Sequence, residues 1–282
     1  MVVDEGQEVI PQTKLHLTVQ DVPACRVTLR WSLEQPRGST SRLVLASHAL
    51  SATLEANVVG AYAVEVQLTS TAGDDLTTLR SEVLATADTA LHLELLWHTP
   101  GDPDPTDTGP GTGADLDLHV AHAAARGEHD RNGDGQPDPW FVLPYDAFAD
   151  NRHPDWGSPD PAVDDNPSLD REDFDGDGPE NLNLALLERD MTYHVGVHAR
   201  DDHGFGPSYA TVRIYHDAIL IFEARDVRLL PGDLWWVSDL TATDPLEPPS
   251  LRRVCEGTPL RCTSTSDCPG ACVPEITPSY AP

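Results

Sequence analysis

Three acidic stretches hold the residues of this chain whose types and spacing could do chemistry. In DREDFDGDGPEN, Asp170 to Asn181, the carboxylates of Asp173, Asp175 and Asp177 fall at alternate positions, followed by Gly178 at a turn and Glu180. In ADLDLHV, Ala114 to Val120, a strand would set Asp115, Asp117 and His119 on one face, about 7 Å apart, with Leu116, Leu118 and Val120 on the other. In DRNGDGQPD, the D-x-N-x-D-G spacing offers Asp130, Asn132, Asp134, the Gln136 carbonyl and Asp138 as loop positions 1, 3, 5, 7 and 9, with Gly135 at the sharp turn. Hard cations prefer such oxygen cages. Calcium takes about 6–8 oxygens at about 2.3–2.6 Å, so ligands from two segments can share one ion. The expected metal is therefore Ca2+, held by Asp130, Asn132, Asp134, Gln136 and Asp138 in one loop. Asp173, Asp175, Asp177 and Glu180 form a second group, joined by Asp115 and Asp117.

Other chemistries find less support. The twelve histidines invite a zinc reading, yet HVGVH is not H-E-x-x-H, and on a strand His194 and His198 stand two pleats apart. A transition-metal site built from His119 with His198 or His203 stays open as an alternative. There is no G-x-S-x-G elbow, Gly-rich phosphate loop or Cys-His nucleophile pair. No catalytic residue is expected.

The chain's balance of 47 acidic against 18 basic residues, net charge −29, repels nucleic acid and anionic lipid and favours cations. No apolar run is long enough to insert into a membrane. MVVDEGQEVI shows no secretory signal. The cysteines nonetheless point to an oxidising compartment, and so to a signal already trimmed. Cys255, Cys262, Cys268 and Cys272 crowd a tail with little apolar content, which needs disulfides to hold a shape. Two bridges are expected among these four, in any of three pairings, with Cys25 a reduced thiol in the core of a strand.

Period-2 alternation dominates both halves, and an all-β chain of two tandem β-sandwich domains, Ig-like or jelly-roll-like, follows. The expected boundaries are 10–87 for the first, 90–245 for the second, with long acidic loops, and 250–282 for the cysteine-rich tail. GAYAVEVQL shows the pattern: Tyr62, Val64, Val66 and Leu68 face one way. SYATVRIYHDAILIFEAR reads as a hairpin turning at His216-Asp217, and DLWWVSDL sets Trp235 and Trp236 on opposite faces. LNLALLERD alone could form a short amphipathic helix.

W-S-L-x-x-P-x-G-S from Trp31 to Ser39, then G-x-Y-x-V-x-V from Gly60 to Val66, is similar to bacterial PKD-type domains. That resemblance implies a spacer or adhesive module without catalytic residues. From about Leu91 to Leu240, DLDLHV, PDWG, D-N-P-x-L-D, D-x-D-G-x-G-P-E-N, Y-x-V-G-V-H and D-H-G-x-G-P-S resembles an uncharacterised β-sandwich domain found beside PKD-type modules in secreted bacterial proteins. It implies an extracellular location and no established activity. The DRNGDGQPD loop, absent from that pattern, resembles type-3-repeat and dockerin calcium loops, although Phe141 stands where a helix-flanked EF-hand has Glu.

The expectation is a non-enzymatic, calcium-stabilised binding or adhesion module, secreted or on the cell surface. Its loops, with Trp140, Phe148 and Trp156 as exposed rings, would contact a glycan or protein. The rivals are a structural spacer and a metal-dependent hydrolase using His119, His198 or His203.

Overall fold

The computed structural model describes residues 7–20, 22, 27–255, 261–262 and 271–280, all strand, turn or irregular chain, with no helix among them. The fold is all-β, as the alternation predicts. The chain divides into two compact units, Met1–Ala87 and Asp88–Pro282.

Unit 1 holds β1 (Gln7–Val9), β2 (Thr13–Thr18), β3 (Val27–Glu34), β4 (Val44–Leu45), β5 (Ser51–Ala56), β6 (Gly60–Ser70) and β7 (Asp75–Ala85). They form a four-stranded sheet in the order β1-β7-β6-β3 and a three-stranded sheet in the order β2-β5-β4. The β6 alternation is realised, with Tyr62, Val64, Val66 and Leu68 buried. The Tyr62 hydroxyl donates to Val58 O and accepts from Val58 N, both at 3.0 Å, so its polar end is satisfied inside the core. Cys25, expected as a core thiol, lies outside the described residues.

Unit 2 begins with β8 (Leu91–His98), β9 (Asp115–His122), β10 (Asp146–Ala147), β11 (Pro167–Arg171), β12 (Glu180–Leu184) and β13 (Met191–Asp201). It continues with β14 (Ser208–His216), β15 (Ile219–Leu229), β16 (Leu234–Ala242), β17 (Ser250–Cys255), β18 (Arg261–Cys262), β19 (Cys272–Val273) and β20 (Glu275–Thr277). One sheet runs β11-β12-β8-β14-β15; the other runs β10-β9-β13-β16-β17-β18, with β20 on β16 and β19 on β17. Leu91, Leu93, Leu95, Leu116, Leu118, Val120, Val195, Val197, Val212, Ile214 and Trp235 of the two sheets form one buried core. Each such side chain stabilises the unit by about 1.5–3 kcal/mol.

Three local readings change. LNLALLERD contains no helix: it is β12 followed by bends, because Asn181 to Leu184 pair with Leu91 to Glu94. The β14–β15 turn falls at Asp217 and Ala218, with φ of 46° and 65°, one residue later than the sequence suggests and of the two-residue kind whose twist suits a hairpin. The tail does not stand apart, because β17 and β20 occupy the edge of β16 that β13 leaves free. Cys262 and Cys272 form a disulfide, as the tail's composition predicts. A second bridge would need Cys268, which lies outside the described residues.

Candidate metal centre

The site lies on the face of the β9-β13-β16 sheet turned away from the core. Alternation along β9 sends Leu116, Leu118 and Val120 into the core and leaves Asp115, Asp117 and His119 on the opposite face, as the sequence predicts. Register supplies what the sequence does not show. On β13 His198 sits directly across from Asp117, and Gly196 across from His119. Gly196 is required here, because a Cβ at that position would stand 2.7 Å from the Trp140 ring. Its absence lets the indole lie against the sheet, edge-on to His119 at 5.9 Å between ring centroids.

The segment after β9 folds back over this face. Phe148 stacks on the His119 imidazole at 4.9 Å, and Phe141 meets its edge at 4.7 Å, so the ring is fully buried. His119 Nδ1 lies 2.8 Å from Asp146 Oδ2. An ionised carboxylate only accepts, so Nδ1 carries the proton and Nε2 presents its lone pair. His198 Nε2 lies 3.3 Å from the Tyr280 carbonyl, which also only accepts, so in the neutral ring Nδ1 is the lone-pair nitrogen, 3.9 Å from Asp117 Oδ2. His119 Nε2, His198 Nδ1 and Asp117 Oδ1 are all buried, and none has a hydrogen-bond partner.

Among the described residues, Asp117, His119 and His198 are the set of three whose ligand atoms lie within 4.8 Å of one another. A tetrahedral ion with bonds of about 2.0–2.2 Å asks for separations of roughly 3.4 Å, so small side-chain rotations complete the set. Beside it lies a cavity of about 560 Å³ lined by Asp117, His198, Arg200, Phe141, Phe148 and Tyr280, among others.

Carboxylates crowd the other side of Asp117. Glu180 reaches from β12 to the edge of β9, where its Oε2 accepts from Leu118 N at 2.6 Å. It is fully buried, and its Oε1 has no partner. Burial, then repulsion from Asp117, raises its pKa well above the ordinary carboxylate range. Burial and Asp117 likewise push Asp115 up to about 7, against the pull of Arg200. Burial also raises Glu172, opposed by Arg152. The Arg200 guanidinium, 46% exposed, lies 3.8 Å from Asp115 and 3.9 Å from Asp117.

Of the residues expected to bind calcium, Asp115, Asp117 and Glu180 act on one another electrostatically. The others lie in two separate loops. Asp175 Oδ2 accepts from Gly109 N at 2.5 Å and Asp177 accepts from the Thr99 backbone, so these two tie the 99–113 loop to the turn before β12, while Asp173 Oδ1 accepts from Asp175 N within that turn. In the 130–138 loop Asp130 accepts from Gly133 N and Gly135 N, Asn132 from Asp134 N, and Asp134 from Gln136 N. Asp138 turns inward, accepting from Arg131 N and from the Tyr280 hydroxyl.

Trp140, Phe148 and Trp156 are not exposed rings: they are 3%, 6% and 3% exposed, buried against His119, Trp236 and Tyr193. A sandwich face this rich in imidazole needs apolar cover, and these side chains supply it. Of the histidines, His203 bonds the Gly113 carbonyl and His194 bonds Asp239, both outside the triad. Asp146 and Glu172 were not singled out in the sequence. DAF carries no motif, and only the fold sets Asp146 behind His119.

The chain matches no family model, and no curated protein is significantly similar to it in sequence.

Proposed function

We propose that unit 2 is a metal-dependent binding module of a secreted protein, holding a divalent transition-metal ion through Asp117, His119 and His198. It presents the remaining coordination positions to a ligand in the adjoining cavity. The observation that carries this reading is the convergence of three buried lone pairs without partners, with both imidazoles oriented from behind by acceptors, Asp146 and the Tyr280 carbonyl. Two imidazoles and one carboxylate suit zinc or iron better than calcium, which takes oxygen. The Cys262–Cys272 bridge supports an oxidising compartment.

A second reading, metal-dependent hydrolysis, is favoured by the ligand count. Structural zinc sites have four protein ligands, whereas three protein ligands beside a cavity match sites where bound water acts as nucleophile. Zinc titrated into chelator-stripped protein should bind at one equivalent, and His119→Ala or His198→Ala should abolish it. Zinc uptake untouched by both substitutions would refute the site. Turnover of ester, amide or phosphoester probes by the zinc-loaded protein, lost in His198→Ala, would select the hydrolytic reading.

A further inference from the structure

The cavity beside the triad has an apolar wall and one cationic group. Its lining joins two triad residues, Asp117 and His198, to the rings of Phe141, Phe148 and Tyr280 and to the guanidinium of Arg200. Its volume of about 560 Å³ lies in the range that encloses a small organic molecule. Arg200 reaches the cavity because strand alternation sets it on the same face of β13 as His198, while Ala199 between them packs in the core. Arg200 Nη1 and His198 Nδ1 both lie 3.9 Å from the same atom, Asp117 Oδ2. The guanidinium is 46% exposed, and its other ion contacts, 3.8 Å to Asp115 and 3.9 Å to Asp150, are likewise longer than a hydrogen bond. Among the described residues nothing else holds it, so its N–H donors are open to a ligand.

We propose that the ligand of this cavity is a small organic carboxylate with an apolar body, one oxygen on the metal and the other on Arg200, and that it binds only after the metal. The proposal rests on the triad as the seat of that metal. An ion bonded to Asp117 Oδ2 stands within roughly 6 Å of Arg200 Nη1, a gap that one bridging carboxylate closes, with a metal–oxygen bond at one end and a charge-assisted hydrogen bond at the other. Charge sets the order of binding. Without metal, Asp117 and Asp150, with Asp115 where it is ionised, outweigh the single positive charge of Arg200, and an incoming anion is repelled. A divalent ion brings the group to neutral or singly positive and engages Asp117 itself, which leaves Arg200 to a new partner. That balance admits a monoanion and disfavours a dianion such as a phosphate monoester. Phe141, Phe148 and Tyr280 offer ring surface to the ligand's apolar body.

The test uses the full chain, with phenylacetate as probe and phenylacetamide, which has the same body and no charge, as control. By calorimetry zinc should bind at one equivalent to wild type and to Arg200→Gln alike. Phenylacetate should then bind zinc-loaded wild type at least tenfold more tightly than the amide does, bind zinc-loaded Arg200→Gln at least tenfold more weakly, and give no signal with chelator-stripped protein. Arg200→Lys, which keeps the charge and loses the two-donor fork, should recover part of the affinity. Zinc bound at one equivalent with no phenylacetate bound, equal affinity for acid and amide, equal affinity in wild type and Arg200→Gln, or binding of the acid without zinc would each overturn the proposal and leave the triad standing. Absence of zinc uptake by wild type would refute the triad, and the carboxylate site with it.

Discussion

At the scale of single residues, the informative groups are buried acids. Asp115 is surrounded by Asp117 and Glu172, which raise its pKa, and by Arg200 and His203, which lower it; burial dominates and pushes it to about 7 from the ordinary 3.8. In metal-free protein the folded state therefore keeps a proton that the unfolded chain has released. The resulting stability is fully present below about 3.8 and is lost as pH rises through about 7. Chelator-treated protein should melt at progressively lower temperature between pH 4 and pH 7, and Asp115→Asn should flatten that slope. Identical slopes in wild type and Asp115→Asn would show that the group titrates normally. The alternation of DLDLH made this ridge legible in sequence; its degree of burial was not, because the covering residues Phe141, Phe148 and Tyr280 come from distant parts of the chain.

At the scale of elements, strand register decides the chemistry. Period 2 tells which residues of β9 and β13 share a face, but only pairing tells that His198 lies opposite Asp117 rather than two residues away. A bulge between Val195 and Gly196 on the β16 side of β13 marks the kind of irregularity that sequence patterns cannot date to a residue. Asp173, Asp175 and Asp177, whose spacing suggested a shared ion, stay near one another, with Asp173 accepting from Asp175 N and Asp175 also holding the Gly109 amide of another loop. The tail is an element of the site as well. β20 pairs with Leu234 to Trp236, and three residues later the Tyr280 carbonyl meets His198. Deleting residues 278–282 should weaken zinc binding about tenfold or more, the usual effect of losing an orienting partner. Tyr280→Phe keeps the carbonyl and removes the hydroxyl bonded to Asp138 at 3.2 Å. It should therefore leave zinc affinity unchanged and lower stability by about 1 kcal/mol. Equal zinc affinity in the truncated and full chains would show that the tail does not orient His198.

At the scale of the whole molecule, a net charge of −29 must be held together as well as kept soluble. The two units carry this burden differently. The buried acids and the Asp117, His119 and His198 group all belong to unit 2, whereas the described buried residues of unit 1 are mainly apolar, with Ser41, Asn57 and Ser81 the polar exceptions among them. A cation at 100 times its dissociation constant stabilises the unit that binds it by about 2.7 kcal/mol. Because the chain divides into two compact units, calorimetry of the full chain should resolve a metal-sensitive and a metal-insensitive transition, chelator lowering only the first. Leu54→Ala, at a fully buried position of unit 1, should cost about 2–5 kcal/mol and lower only the second. That assignment matters, since chelation could otherwise act through exposed carboxylates anywhere on so acidic a surface. If chelator and Leu54→Ala lower the same transition, or if chelator lowers neither, the cations do not stabilise unit 2 selectively, and the buried carboxylates are instead held by protons alone.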